Sequence, residues 1–207
     1  MGLRFHSHLD ALVSEWVVFG LPALYVIFVL VFCRFMQNRT AWDVKTAMKV
    51  YNFCQIVVCS YMVWGLFQFP NTLRLNTKPT ASVEWFVLVH YLTKYMDWAD
   101  TFFMIVRKKY SQVSIDLVCS LTFIIDFHPL PMLLFLWQVS FLHLYHHATI
   151  SVVWGFMLNI GWGNGTVSYG AMINSFTHVL MYSHYLWTSF GWRNPLKRFL
   201  TLFHNIS

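Results

Sequence analysis

Charged side chains are scarce in this sequence. They make up 11% of 207 residues, and only 8 of them are Asp or Glu. A soluble domain carries about 25%, so an ordinary globular fold is excluded, as is a disordered chain. Cysteine is scarce as well. Cys33, Cys54, Cys59 and Cys119 all lie inside apolar stretches and show no metal or redox spacing. That excludes a disulfide-rich secreted module and leaves the four as small hydrophobes. What the chain does have is apolar: 57% hydrophobic and 19% aromatic residues, gathered into blocks near the length of a bilayer span. These are the properties of an integral membrane protein.

The 14 Lys and Arg exceed the acids by 6 and sit mostly in short loops between apolar blocks. In a soluble chain that excess could point to nucleic acid. Here it reads as a positive-inside bias, with anionic headgroups or phosphate-bearing ligands as partners and no nucleic acid. Met1–Glu15 is polar and holds Asp10 and Glu15, so no cleavable signal is visible and the first apolar block is expected to act as the targeting signal.

The expected fold class is all-α, a polytopic transmembrane helix bundle. Five blocks read as spans: Trp16–Cys33, Val50–Phe69, Trp85–Val106, Ser140–Asn159 and Ser168–Phe190. A sixth apolar segment, Ile115–Trp137, is broken by Asp126, His128, Pro129 and Pro131 and suggests a re-entrant hairpin. Loop charges test the topology. Arg34, Arg39, Lys45 and Lys49 follow the first span; only Arg74 and Lys78 follow the second; Arg107, Lys108 and Lys109 follow the third. This rich, poor, rich order puts the N-terminus outside the cytosol. Arg193, Lys197 and Arg198 beyond the last span are cytosolic by the same rule, provided that Val113–Gln138 crosses the membrane an even number of times or not at all. Asn38-Arg39-Thr40 and Asn164-Gly165-Thr166 match glycosylation sequons. The first lies on the expected cytosolic side and the second close to the bilayer, so neither is expected to be modified.

Polar residues inside a membrane are costly and therefore candidates for function. His143, His146 and His147 form an HxxHH box whose spacing puts three imidazoles on one helix face. Lys94, Asp97 and Thr101 fall on one side of another helix with Asp100 at the edge, an arrangement that also suits a charge-neutralising buried pair. His178, Met181, Tyr182 and Tyr185 share a third stripe with His184 at its margin, which taken alone could equally be a packed aromatic face. A single box beside isolated histidines supplies too few ligands for the di-iron centre of a membrane desaturase or hydroxylase. Without a metal, clustered imidazoles in an apolar bundle point to acyl or proton-transfer chemistry. An aromatic tunnel would suit a hydrocarbon chain, and the loop Arg and Lys a phosphate-bearing carrier.

The motifs resemble a known family. Lys94…Asp97…Asp100-Thr101, Arg107-Lys108-Lys109, Phe141-Leu142-His143-Leu144-Tyr145-His146-His147, Asn174-Ser175-Phe176-Thr177-His178 leading to Met181-Tyr182-Ser183-His184-Tyr185, and Lys197-Arg198-Phe199-Leu200-Thr201 follow the order of the ELO family of very-long-chain fatty acid elongases. Tyr51-Asn52 also occupies a familiar position, and insect-type members look most similar. The resemblance implies a multi-pass enzyme of the endoplasmic reticulum, a 3-oxoacyl-CoA synthase that condenses long-chain acyl-CoA with malonyl-CoA and uses no metal or organic cofactor. By the same resemblance, His146 takes up the acyl group, His143 and His147 orient or deprotonate, and His178 faces them. Lys94, Asp97, Asp100, Thr101, Asn174, Tyr182 and Tyr185 form a supporting polar network. Arg107, Lys108, Lys109, Lys197 and Arg198 bind the coenzyme A phosphates. Membrane lipid, other enzymes of the elongation cycle and a second copy of this chain are the remaining expected partners.

The sequence departs from the family pattern at four places. Asp97 stands where Glu is usual, and His184 where Tyr is frequent. After Thr201 the family continues into two further membrane helices, whereas here Leu202–Ser207 follows. The 26 residues Val113–Gln138 interrupt the approach to the box. They begin Val-Ser, which GTAAGT can encode, and end in Gln, which CAG encodes, so a retained intron translated in frame is expected, within a single incomplete elongase-like domain spanning residues 1–207. Two other functions remain open at this point: a catalytically silent truncated isoform that associates with full-length elongases, and a membrane di-iron desaturase or hydroxylase.

Overall fold

A computed structural model describes residues 7–69, 80–108 and 141–192, with the side chains of 141–143 excepted. Every regular element among the described residues is helical. A 3₁₀ helix, Ser7–Val13, and a π-helical turn, Trp16–Gly20, lead into α1, Leu21–Met36. Then come α2, Lys45–Phe67; α3, Ala81–Met96; α4, Trp98–Arg107; α5, Phe141–Asn159; and α6, Thr166–Ser189. Among the described residues, Ser7–Met36 and Lys45–Phe67 are long and apolar enough to cross a membrane. α5 and α6 are also long, but their histidines, tyrosines, serines and asparagines dilute their apolar character.

The block Trp85–Val106 falls on two successive helices: α3 ends at Met96 and α4 starts at Trp98, with Asp97 between them in the right-handed region. The amide of Asp100 bonds the carbonyl of Asp97 at 3.1 Å, an i to i+3 closure that tightens the chain locally. No proline or glycine lies nearby, so hydrophobicity alone could not reveal the interruption. The expected segment Ile115–Trp137, the insertion Val113–Gln138 and the tail Leu202–Ser207 lie outside the described residues.

The chain divides into two compact units. The first comprises Met1–Val13, Lys45–Thr93 and Met157–Ser207. Here α2 and α6 pack along their length. The ring of Phe86 lies on Gly65, where a Cβ would overlap it, so glycine is needed for α3 to approach α2 this closely. Polar side chains join the elements. Asn159 Nδ2 donates to the carbonyl of Val13 at 2.7 Å, and Tyr91 Oη to that of Leu12 at 3.2 Å. The amide of Thr80, just before α3, donates to Asn164 Oδ1 at 3.1 Å.

The second unit comprises Ser14–Val44 and Lys94–Phe156. Its core is Tyr25, Val29, Cys33 and Met36 from α1 against Ile105 and Val106 from α4. The α1 residues recur every three or four positions, which is one helix face. Phe32 stacks on Phe102 at 5.1 Å. The amide of Trp42 donates to the carbonyl of Val106 at 2.9 Å. Lys108 closes α4 in the left-handed region at φ 50°, and its Nζ donates to the carbonyl of Gln37 at 3.1 Å. The buried Cys33 and Cys59 serve as small apolar residues, while Cys54 is exposed.

Candidate active site

In the second unit the box opens α5. The rings of His146 and His147 meet edge to face at 5.6 Å. His147 is buried and His146 exposed, as expected for neighbours on a helix. The backbone of His143 belongs to the same turn. Lys94, in the last turn of α3, pairs with Asp97 at the break, Nζ to Oδ2 at 3.1 Å, with both side chains 2% exposed. A buried ion pair is weak evidence for stability because desolvation offsets the attraction. Beside a histidine it supplies a fixed dipole in a poorly screened setting.

Asp100 and Thr101 follow on α4. Asp100 is half-buried, and Thr101 is fully buried with its hydroxyl on Tyr25 Oη at 2.6 Å. Tyr25 also stacks on Trp98 at 4.3 Å between ring centroids. Trp98 Nε1 donates to the backbone carbonyl of His147 at 3.2 Å. None of Tyr25, Trp98 and Ser151 was singled out from sequence, and Tyr25 is 76 positions from Thr101. Helical spacing offers no signal across such a distance.

In the first unit, α6 presents its candidates on one stripe. The ring of His178 meets Tyr182 edge to face at 5.6 Å, and Tyr182 meets Tyr185 at 6.1 Å. Tyr182 is buried, and its hydroxyl shares a hydrogen bond of 3.1 Å with Tyr51, which accepts from Gln55 Nε2 at 2.9 Å. Asn174 is half-buried on the same helix, and Tyr185 is exposed. His90 was missed from sequence. It is fully buried on α3, with Nδ1 3.0 Å from Ser175 Oγ. Its position one helical turn before Lys94 was the available signal.

Arg107 and Lys108 end α4 half-buried, while Lys109, Lys197 and Arg198 lie outside the described residues. Among the described residues no three His, Cys, Asp or Glu side chains are grouped to hold a metal ion. The arrangement places imidazoles beside a fixed charge pair in the second unit. In the first it places an imidazole against hydrogen-bonded phenols.

Residues 11–206 match the profile of the ELO (GNS1/SUR4) family. The chain belongs to that family. It is 39% identical over 201 residues to fatty acid elongase 5 of Trypanosoma cruzi (strain CL Brener), covering 96% of this chain and 69% of that one. It is 38% identical over 201 residues to fatty acid elongase 5 of Leishmania major, covering 96% and 70%. Against human very long chain fatty acid elongase 4 it is 27% identical over 209 residues, covering 91% of this chain and 56% of the human protein. This elongase-family chain is thus a membrane protein of fatty acid elongation, helical in every regular element among the described residues, and the motifs that fall there lie on α2, α3, α4, α5 and α6.

Proposed function

We propose that this elongase-family protein is a very-long-chain 3-oxoacyl-CoA synthase, joining long-chain acyl-CoA to malonyl-CoA in the endoplasmic reticulum membrane. The observation that carries this reading is the buried Lys94–Asp97 pair followed directly by Trp98, whose indole donates to the His147 carbonyl of the box helix. Five spans and one broken segment form the proposed membrane plan.

In the proposed reaction, an imidazole nitrogen of His146 attacks the thioester carbonyl. The carbon–sulfur bond breaks, coenzyme A leaves as the thiolate, and the acyl group rests on His146. Malonyl-CoA then loses carbon dioxide. The electron pair of the broken carbon–carbon bond attacks the held acyl carbonyl, forming the 3-oxoacyl-CoA and freeing the imidazole. His143 and His147 orient the acceptor or move its proton, and His178 serves as a further acid or base. Lys94, Asp97, Asp100, Thr101, Asn174, Tyr182 and Tyr185 hold the polar environment in place as charge develops. Arg107, Lys108, Lys109, Lys197 and Arg198 take the phosphates of coenzyme A. No metal or organic cofactor enters these steps.

The test is incorporation of labelled malonyl-CoA into long-chain 3-oxoacyl products by microsomes containing the protein. Wild-type protein gives product, and His146→Ala lowers it to background while membrane insertion persists. Turnover retained by His146→Ala removes His146 from the mechanism, and absence of malonyl-dependent product from wild type overturns the proposal.

A further inference from the structure

Trp98 is the first residue of α4 and follows Asp97 directly. One residue therefore holds the Lys94 ammonium while the next holds the backbone of the box. The indole N–H of Trp98 donates to the carbonyl of His147 at 3.2 Å; the Ser151 hydroxyl shares its one proton between the Ala148 carbonyl at 2.9 Å and that of His147 at 3.2 Å. A helix carbonyl ordinarily serves one N–H four residues on. Additional donors from the side tilt its peptide plane and bend the helix locally.

The indole is itself held. It stacks on Tyr25 with ring centroids 4.3 Å apart and 13° between planes, and lies nearly perpendicular to Tyr95 with centroids 4.8 Å apart. The hydroxyl of Tyr25 is tied to Thr101, one turn along α4. The donor thus comes from a ring packed against two others, and its hydrogen bond to a part-buried carbonyl is costly to leave unmade.

From this geometry we infer that Trp98 is a positioning residue, a clamp that sets the register of the HxxHH turn against the Lys94–Asp97 pair by holding the His147 carbonyl. The inference rests on the elongase reading. It adds that the separation between His146 and the charge pair is governed through the Asp97–Trp98 step and not by the histidines alone. Trp98 touches no reacting atom in this role. Its loss changes the rate of the acyl-transfer steps and leaves substrate capture intact.

Trp98 is replaced by benzothienylalanine, which keeps the bicyclic shape and lacks the N–H, and in parallel by Phe. Both are compared with wild type in microsomes at matched protein levels. The expected result is a kcat about tenfold lower with KM for acyl-CoA unchanged. Tyr25→Phe, which loosens the ring without removing the donor, should lower kcat by about twofold to threefold. A second readout does not depend on turnover: the rate at which diethyl pyrocarbonate modifies His146 in the full chain, followed by mass spectrometry. Benzothienylalanine should change that rate at least about threefold, because the imidazole moves relative to the charge pair. An unchanged modification rate overturns the clamp, as does a benzothienylalanine protein with wild-type kcat. If wild type yields no malonyl-dependent product, the elongase reading fails by itself and the modification rate still decides the clamp.

Discussion

Lys94 and Asp97 form a contact of 3.1 Å, almost wholly removed from solvent, across the last turn of α3 and the break that follows it. Removing either partner strands a buried charge. Lys94→Met or Asp97→Leu alone should destabilise the protein by about 3–5 kcal/mol, while the double change should recover most of that. Thermal unfolding of the detergent-solubilised protein measures both, and additive losses would show that the two groups do not act as a pair. Elongation should stay absent in the double variant, which separates the pair's catalytic contribution from its structural one.

Asp97→Glu addresses the position where this chain departs from the usual family residue. The extra methylene is accommodated only if the flexible Lys94 stem lets its ammonium withdraw. The expected outcome is activity within about threefold of wild type. A loss as large as that of Asp97→Asn would show that carboxylate position, and not charge alone, is critical.

Gly65 lies flat against the Phe86 ring, and a Cβ there would overlap it. Gly65→Ala should cost about 1–3 kcal/mol through overpacking. Phe86→Leu in the same chain should return part of the loss, because the flat ring is gone. Trypsin resistance of the folded protein reports the order of stabilities, and full additivity of the two changes would refute the contact.

The Tyr25–Thr101 hydroxyl bond, 2.6 Å long and buried, joins α1 to α4. Thr101→Val leaves Tyr25 Oη without this partner and should cost about 1–3 kcal/mol. Adding Tyr25→Phe should cost little more. A double-mutant cycle on unfolding midpoints checks it, and a coupling near zero would contradict the bond.

His90 and Ser175 are linked at 3.0 Å with both side chains buried between α3 and α6. His90→Leu should lower stability by about 1–3 kcal/mol because the Ser175 hydroxyl loses its partner. Ser175→Ala in the same chain should add almost nothing. Additive losses, read by the same unfolding midpoints, would show that the two side chains are independent.

Much of the helical plan was legible because apolar blocks and their limits are encoded locally. α5 begins one residue from its expected start, at Phe141, and the Lys94–Asp97 pair follows from i, i+3 spacing. The break at Asp97 was hidden, since Tyr95-Met96-Asp97-Trp98 contains no residue that forbids a helix. The clamp around Trp98 was hidden for another reason: its partners Tyr25 and His147 are brought to it by tertiary packing. His90 was legible only through its place one turn from Lys94, because its partner Ser175 is brought to it by tertiary packing.

The interruption between Met96 and Trp98 is enforced by no covalent feature of the chain. During synthesis, residues 81–107 can therefore form one continuous helix before other elements pack on it. The Trp98 indole N–H can meet this acceptor only after residue 147 has been synthesised, because the acceptor is the His147 carbonyl. Completion of the contact is thus tied to the order of synthesis: α4 is made first, and its leading indole is engaged once α5 arrives.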